Sequence, residues 1–285
     1  MLNLTNGGIK MRPRKIIASD MDMTFLKSDG SYNQERFTKL LDRLDEAQIR
    51  FAVASGRSYW MVEDIFQNIS ARIDCIAENG AYVRAQGQEI AKQLLTVQQI
   101  RDFEEFFLSR SKNYFILISS AKQMYYIGDL QEQANQGLMP ADWVKLFSPG
   151  IKVASFDQVA NQDEFIKVTA MVPEAEVDSL IAEYNQSHGD DLRAVQGGHG
   201  AIDFVHGDCH KAWGLEQLLQ HYHLNKEDLI VFGDNLNDLE MMQAAGTSYA
   251  VANAKEPIKA VATKMVPSND DEGVLAAIEG ILAEI

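Results

Sequence analysis

Cysteine is scarce in this chain: Cys75 and Cys209 are the only two among 285 residues. So small a number excludes a disulfide framework and suits a reducing compartment, so a cytoplasmic protein is expected. Long apolar runs are missing too. None approaches the roughly 18 consecutive residues that a membrane-spanning helix needs. The opening stretch, MLNLTNGGIKMRPRK, has no apolar core of the kind a secretory signal carries. Residues 1–14 read as a tail, and Met11 could serve as an alternative start. Positive charge is in short supply, with 26 Lys and Arg against 41 Asp and Glu, a net charge of −15. That balance argues against any general affinity for nucleic acid or anionic membrane, so neither is expected as a partner. An anionic small molecule would need a local cation or a well-placed lysine. Nucleotide loops are absent as well. Around GGHG (197–200) the third glycine of G-x-G-x-x-G is replaced by Asp203, and no G-x-x-x-x-G-K occurs.

What is present is ordinary in bulk and specific in pattern. A hydrophobic share of 46% and a charged share of 24% fit a soluble globular protein of one or two domains. Short apolar runs repeatedly lead into polar loops: KIIAS into Asp20, RFAVAS into Gly56 and Arg57, DCIAENG into Asn79, and DLIVFGD into Asp234. Continuous apolar runs of this length suit strands buried on both faces, as in a parallel sheet. Between the first two, NQERFTKLLDRLDEAQI places Phe37, Leu40, Leu41 and Leu44 at helical spacing, with Asn33 as its cap. Val274, Ile278, Leu282 and Ile285 repeat that logic at the C-terminus. Alternating strands and helices predict an α/β fold, a doubly wound parallel sheet. The middle reads differently, with strands at NYFILISSAKQMYYIGD, FIKVTAMV and GAIDFVHG and a helix at AEVDSLIAEYNQ. It separates the first three motif loops from the last. This predicts an inserted domain over 85–206, within a core formed by 1–84 and 207–285.

Open parallel sheets bind ligands beyond the carboxyl ends of their strands, where Asp20, Ser55, Asn79 and Asp234 all fall. Asp20 and Asp22 flank a single apolar residue, so both can turn into one cavity, and Asp234 and Asp238 add carboxylates from another strand. Such an oxygen-rich set suits Mg²⁺ together with a phosphate. Lys211, just before an apolar helix, supplies a compact positive charge. Each piece alone has a plainer reading: D-x-D as a solvated turn, ASGR as a βα turn, Lys211 as a surface lysine. GDNLND hints at a calcium loop but lacks the glutamate and glycine of one. His206, Cys209 and His210 could suggest zinc, yet they read better as a connector into Lys211. Trp60, Met61, Phe66, Met241 and Met242 read as core or pocket wall.

DMDMT, ASGR, Lys211 and GDNLND resemble the four motifs of the haloacid dehalogenase superfamily. AENGA and the long insert after the third strand resemble its Cof-type subfamily of small-molecule phosphatases. DMDMTFLKSDGSYNQERF and GAIDFVHGDCHKAWGL are similar to the bacterial broad-specificity sugar phosphatases of that group. The resemblance implies a Rossmann-like core with an inserted α+β cap and a Mg²⁺-dependent phosphatase of small phosphorylated metabolites, sugar phosphates among them. By the same resemblance Asp20 would be the nucleophile and a metal ligand. Asp22 would be the acid–base group, with its carbonyl on the metal, and Asp234 a third metal ligand. Met21, Ser55, Gly56, Asn79, Lys211 and Asn237 would contact phosphate or substrate, Lys211 neutralising the nucleophile, with Thr24 and Asp238 in support. Lys167, His199 and Asp203 are candidate cap contacts. A monomer or weak homo-oligomer is expected. Met23 departs from the family, which usually has glycine there, and a glycine-only backbone angle would strain it. A phosphomutase is a weaker reading, since the insert is large and lies late in the chain. So is an idle sugar-phosphate-binding regulator, which would not need a nucleophile and an acid.

Overall fold

A computed structural model describes residues 12–110, 114–188, 192–198 and 200–284. Most of the tail, His199 and Ile285 therefore lie outside the described residues. The chain runs from β1 (Lys15–Ser19) through a helical turn to α1 (Gln34–Glu46), β2 (Ile49–Ala54), α2 (Tyr59–Phe66) and β3 (Asp74–Ala77), then β4 (Tyr82–Ala85) and β5 (Gln88–Lys92). There follow α3 (Val97–Arg110), β6 (Phe115–Ser120), β7 (Met124–Ile127), α4 (Leu130–Asn135), α5 (Ala141–Phe147), β8 (Ile151–Lys152), β9 (Phe165–Met171), α6 (Val177–His188), β10 (Leu192–Gly198) and β11 (Ala201–His206). The last part is α7 (Lys211–Tyr222), β12 (Leu229–Gly233), α8 (Leu239–Ala244), β13 (Thr247–Val251), α9 (Glu256–Val261), β14 (Lys264–Val266) and α10 (Gly273–Ala283). Among the described residues no helix is long and apolar enough to cross a membrane.

Contacts divide these residues into two units. The first gathers the described residues up to Val53, Arg72–Asp74, and those from Leu218 on. Its strands lie in the order β14-β13-β12-β1-β2, and every neighbouring pair is parallel. Ile17 at the centre of β1 pairs with Ile230 on one side and Phe51 on the other. From β1 the chain moves outward to β2, and from β12 it moves the opposite way to β13 and β14. The order therefore reverses between β1 and β12, which is where an open α/β sheet makes its ligand crevice. α1 forms as its spacing predicts: Phe37, Leu40, Leu41 and Leu44 are buried, and the Asn33 side chain accepts the Arg36 amide at 3.1 Å. Phe37 packs edge-on against Phe25 and Phe51, with ring centroids 4.7 and 4.9 Å apart. In α10, Val274 and Ile278 are buried and Leu282 is half-buried.

The second unit comprises Ala54–Ala71 and Cys75–Gln217, a wider grouping than an insert over 85–206. Here β4 runs antiparallel to β3, and β5 antiparallel to β4. The two-residue link Gln86-Gly87 explains the reversal from β4 to β5: both residues have positive φ, as a tight hairpin turn of the right twist requires. A second sheet runs β10-β11-β9-β6-β7-β8, antiparallel except for the short β7–β8 pair. Phe103 and Phe107 on α3, Tyr184 on α6 and Phe204 on β11 meet in its core, Phe204 lying 4.8 Å from Phe103 and 4.7 Å from Tyr184.

Candidate active site

The first unit carries the acidic half of the predicted motif set. Asp20 follows β1, and Asp234 follows β12, at the switch point. Asp20, Asp234 and Asp238 each bring a carboxylate oxygen to within 4.8 Å of the other two, and all three are buried. Buried like charges at this range raise one another's energy unless a cation or proton intervenes. This is the donor set that a hard divalent cation requires, and the residues fit it. Thr24 donates to Asp234 Oδ1 at 2.8 Å, orienting one carboxylate. Asp238 Oδ2 accepts the amides of Asp234 and Asn235 at 2.9 and 3.0 Å, which folds GDNLND into a tight turn. Gly233 permits that turn, since a Cβ there would lie 2.8 Å from Asp238.

Two of the candidate residues are exposed. Asp22 is exposed, and its carboxylate stands outside the cluster of Asp20, Asp234 and Asp238. The reason is local. Met21–Phe25 is a helical turn interrupted at Asp22 and Met23, so strand alternation ends at Asp20. Asn237 is exposed as well, while Met21 and Thr24 are buried.

Met23 has φ 60 and ψ 7, in the left-handed region, and its side chain is 43% exposed. Asn253 donates to its carbonyl at 2.8 Å, which helps hold the turn. A non-glycine residue in this conformation costs about 1–2 kcal/mol. Met23→Gly should therefore be more stable than Met23→Ala, by about 1 kcal/mol after the entropy of a flexible glycine is offset. Urea unfolding of the two variants checks this. An alanine variant equal to or better than glycine would mean that the turn carries no strain.

The second unit carries the predicted phosphate-contacting half. Ser55, Asn79 and Lys211 are buried, Lys211 to 1% exposure at the first position of α7. The Asn79 amide donates to the Ser55 carbonyl at 3.0 Å, and the Glu78 amide to the Arg57 carbonyl at 3.0 Å, so the ENG loop is laced to the SGR loop. Glu78 and Asn79 both have positive φ. Gly56 makes room for Asn79, because a Cβ there would lie 2.9 Å from Asn79 Oδ1. Sequence reasoning passed over Glu78, although it stands inside AENGA: it is buried and lies 2.9 Å from Lys167 Nζ. Burial alone would lower the Lys167 pKa, but the charges of Asp203 and Glu78 outweigh it and hold the ammonium protonated. Burial, with a smaller contribution from Glu78, pushes the Cys209 thiol up to about 12, so it offers no thiolate at neutral pH. The segment before α7 is a connector, as expected: the Cys209 amide donates to the His206 carbonyl, and His210 Nδ1 accepts the Trp213 amide at 3.1 Å.

With this geometry in view, the chain belongs to the haloacid dehalogenase-like hydrolase family, whose model matches residues 17–278. It is a phosphatase of that family, of the phosphomonoesterase type. An Escherichia coli K12 relative named 5-amino-6-(5-phospho-D-ribitylamino)uracil phosphatase is 31% identical over 268 residues, spanning 94% of this chain and 96% of its own. A solved structure, SMU.1108c of Streptococcus mutans UA159, is 33% identical with a TM-score of 0.82, covering 94% of this chain and 99% of that one. The fold is also that of BT4131, described as a subclass IIB sugar phosphatase, at TM-score 0.76 and 19% identity over 94% and 98% of the two chains.

Proposed function

We propose that this chain is a Mg²⁺-dependent phosphatase of small phosphorylated metabolites, sugar phosphates above all, acting through an aspartyl phosphate on Asp20. The observation that carries the reading is the buried Asp20–Asp234–Asp238 cluster at the switch point. Asp20 attacks phosphorus, and the ester oxygen leaves with a proton from Asp22. Asp22 then takes a proton from the water that cleaves the acyl phosphate, so one difficult displacement becomes two easier ones. Ser55, Gly56, the Met21 amide, Asn79 and Asn237 orient the phosphoryl group and its ester, and Lys211 offsets its charge. Mg²⁺, held by Asp20, Asp234 and the Asp22 carbonyl, would supply further charge neutralisation. Asp238 supports the site by shaping the GDNLND turn. Residues 85–206 act as a cap that excludes water and selects the leaving group. The enzyme works in the cytoplasm as a monomer or weak homo-oligomer.

The name of the Escherichia coli relative supports a neighbouring reading, in which the ester is a phosphorylated ribityl chain. Both substrates are phosphates of a polyhydroxylated carbon chain, so the chemistry at Asp20 is shared. The test is turnover of p-nitrophenyl phosphate and of a panel of sugar and polyol phosphates, with Mg²⁺ and with excess EDTA. Chelation should stop turnover, and returned Mg²⁺ should restore it. Full activity in EDTA would overturn the metal requirement, and an inert panel would overturn the substrate class.

A further inference from the structure

Lys167 and Asp203, two of the candidate cap contacts, belong to a buried polar network. The Lys167 ammonium has three protons to donate. Two acceptors take hydrogen bonds from it, the Gly56 carbonyl at 2.8 Å and Asp203 Oδ2 at 3.4 Å, and Glu78 Oε2 forms an ion pair with it at 2.9 Å. Asp203 is similarly engaged, Oδ1 accepting Thr169 Oγ1 at 2.6 Å and Oδ2 accepting Asn79 Nδ2 at 3.2 Å. Lys167, Thr169 and Asp203 stand on the paired strands β9 and β11, and all three are buried. A lysine whose charge is already met by two buried carboxylates is a poor phosphate ligand. It is a good anchor for the backbone it grips.

That backbone is the peptide between Gly56 and Arg57. In a trans peptide the carbonyl and the amide point in opposite directions, so holding the Gly56 carbonyl sets the direction of the Arg57 N–H. The Arg57 amide donates to Ser55 Oγ at 3.1 Å. Ser55 Oγ thereby receives its hydrogen bond from within the loop and keeps its own proton to donate outward. We propose that Lys167 is a positioning residue which, through the Gly56–Arg57 peptide, aims the Ser55 hydroxyl proton at a phosphate oxygen. Asp203 and Glu78 hold Lys167 in place, and Asp203 holds Asn79 as well. β9 and β11 thus set the geometry of the SGR loop without touching the phosphoryl group.

The inference rests on Ser55 contacting phosphate, and its test separates the two. Inorganic phosphate affinity, with Mg²⁺ present, is measured by calorimetry for the wild-type chain, Lys167→Met, Ser55→Ala and the double variant. Calorimetry needs no turnover, so an inactive wild type would remove the proposed function and leave this result readable. Lys167→Met should weaken phosphate about tenfold, the scale of one hydrogen bond to a charged group. In the Ser55→Ala background the same change should cost less than about twofold, because its effect passes through the missing hydroxyl. If Lys167→Met alone crowds the carboxylates too far to fold, Glu78→Gln is placed in every member of the cycle. Equal losses in both backgrounds would make Lys167 a general structural residue and overturn the proposal. So would a Ser55→Ala variant that binds phosphate as tightly as wild type.

Discussion

Asp20→Asn should yield a folded protein whose turnover of any phosphomonoester has fallen by about 10⁴-fold or more, the scale seen when a covalent nucleophile is removed. Folding should survive because the backbone of Asp20 is held independently of its carboxylate. Its amide donates to the Phe232 carbonyl at 3.0 Å, and its own carbonyl accepts Ser19 Oγ at 2.7 Å. Asparagine matches the shape of aspartate while removing one charge from a buried cluster whose other members are Asp234 and Asp238. In EDTA, where no cation offsets that crowding, the variant should melt at or above the wild-type temperature. Two measurements therefore move in opposite directions, activity down and stability level or up. Residual activity above about 1% in a folded variant would sink the assignment of Asp20 as nucleophile.

The sequence pattern and the structure agree where burial is simple. β1, β2 and β12 are buried along nearly all their length, so each shows as a continuous apolar run. α1 shows because its apolar residues fall on one face and Asn33 caps it. β8, with two exposed residues, has no pattern to show. β10 hides because half of its residues face solvent and it ends in two glycines. The same division holds at the site. Asp20 and Asp234 follow buried strands, so their place at the switch point could be read directly. The exposure of Asp22 is less legible, because the helical turn after β1 ends the strand alternation at Asp20. Lys167 lies 111 residues from the Gly56 carbonyl that it holds. Neither periodicity nor a local motif encodes a contact at that separation; it arises only when β9 and the SGR loop pack together.

Asp22→Ala should divide substrates according to how badly their leaving groups need a proton. A sugar alkoxide cannot depart easily without one, whereas p-nitrophenolate is stable as the anion and leaves unaided. Loss of the acid should slow attack on a sugar phosphate by about 10²–10⁴-fold and hardly affect attack on the nitrophenyl ester. The exposure of Asp22 favours this role, because a carboxylate outside the acidic cluster can give and recover a proton without upsetting the charges that hold the cation. The second half of the reaction also depends on Asp22, as base toward water. With the nitrophenyl ester, phosphoryl transfer to Asp20 should then outrun hydrolysis, and the aspartyl phosphate should accumulate. A rapid-mix experiment should show a burst of nitrophenolate close to the enzyme concentration, followed by slow turnover. Equal slowing of both esters without a burst would instead assign Asp22 to the shape of the metal-binding loop, and proton transfer to some other group.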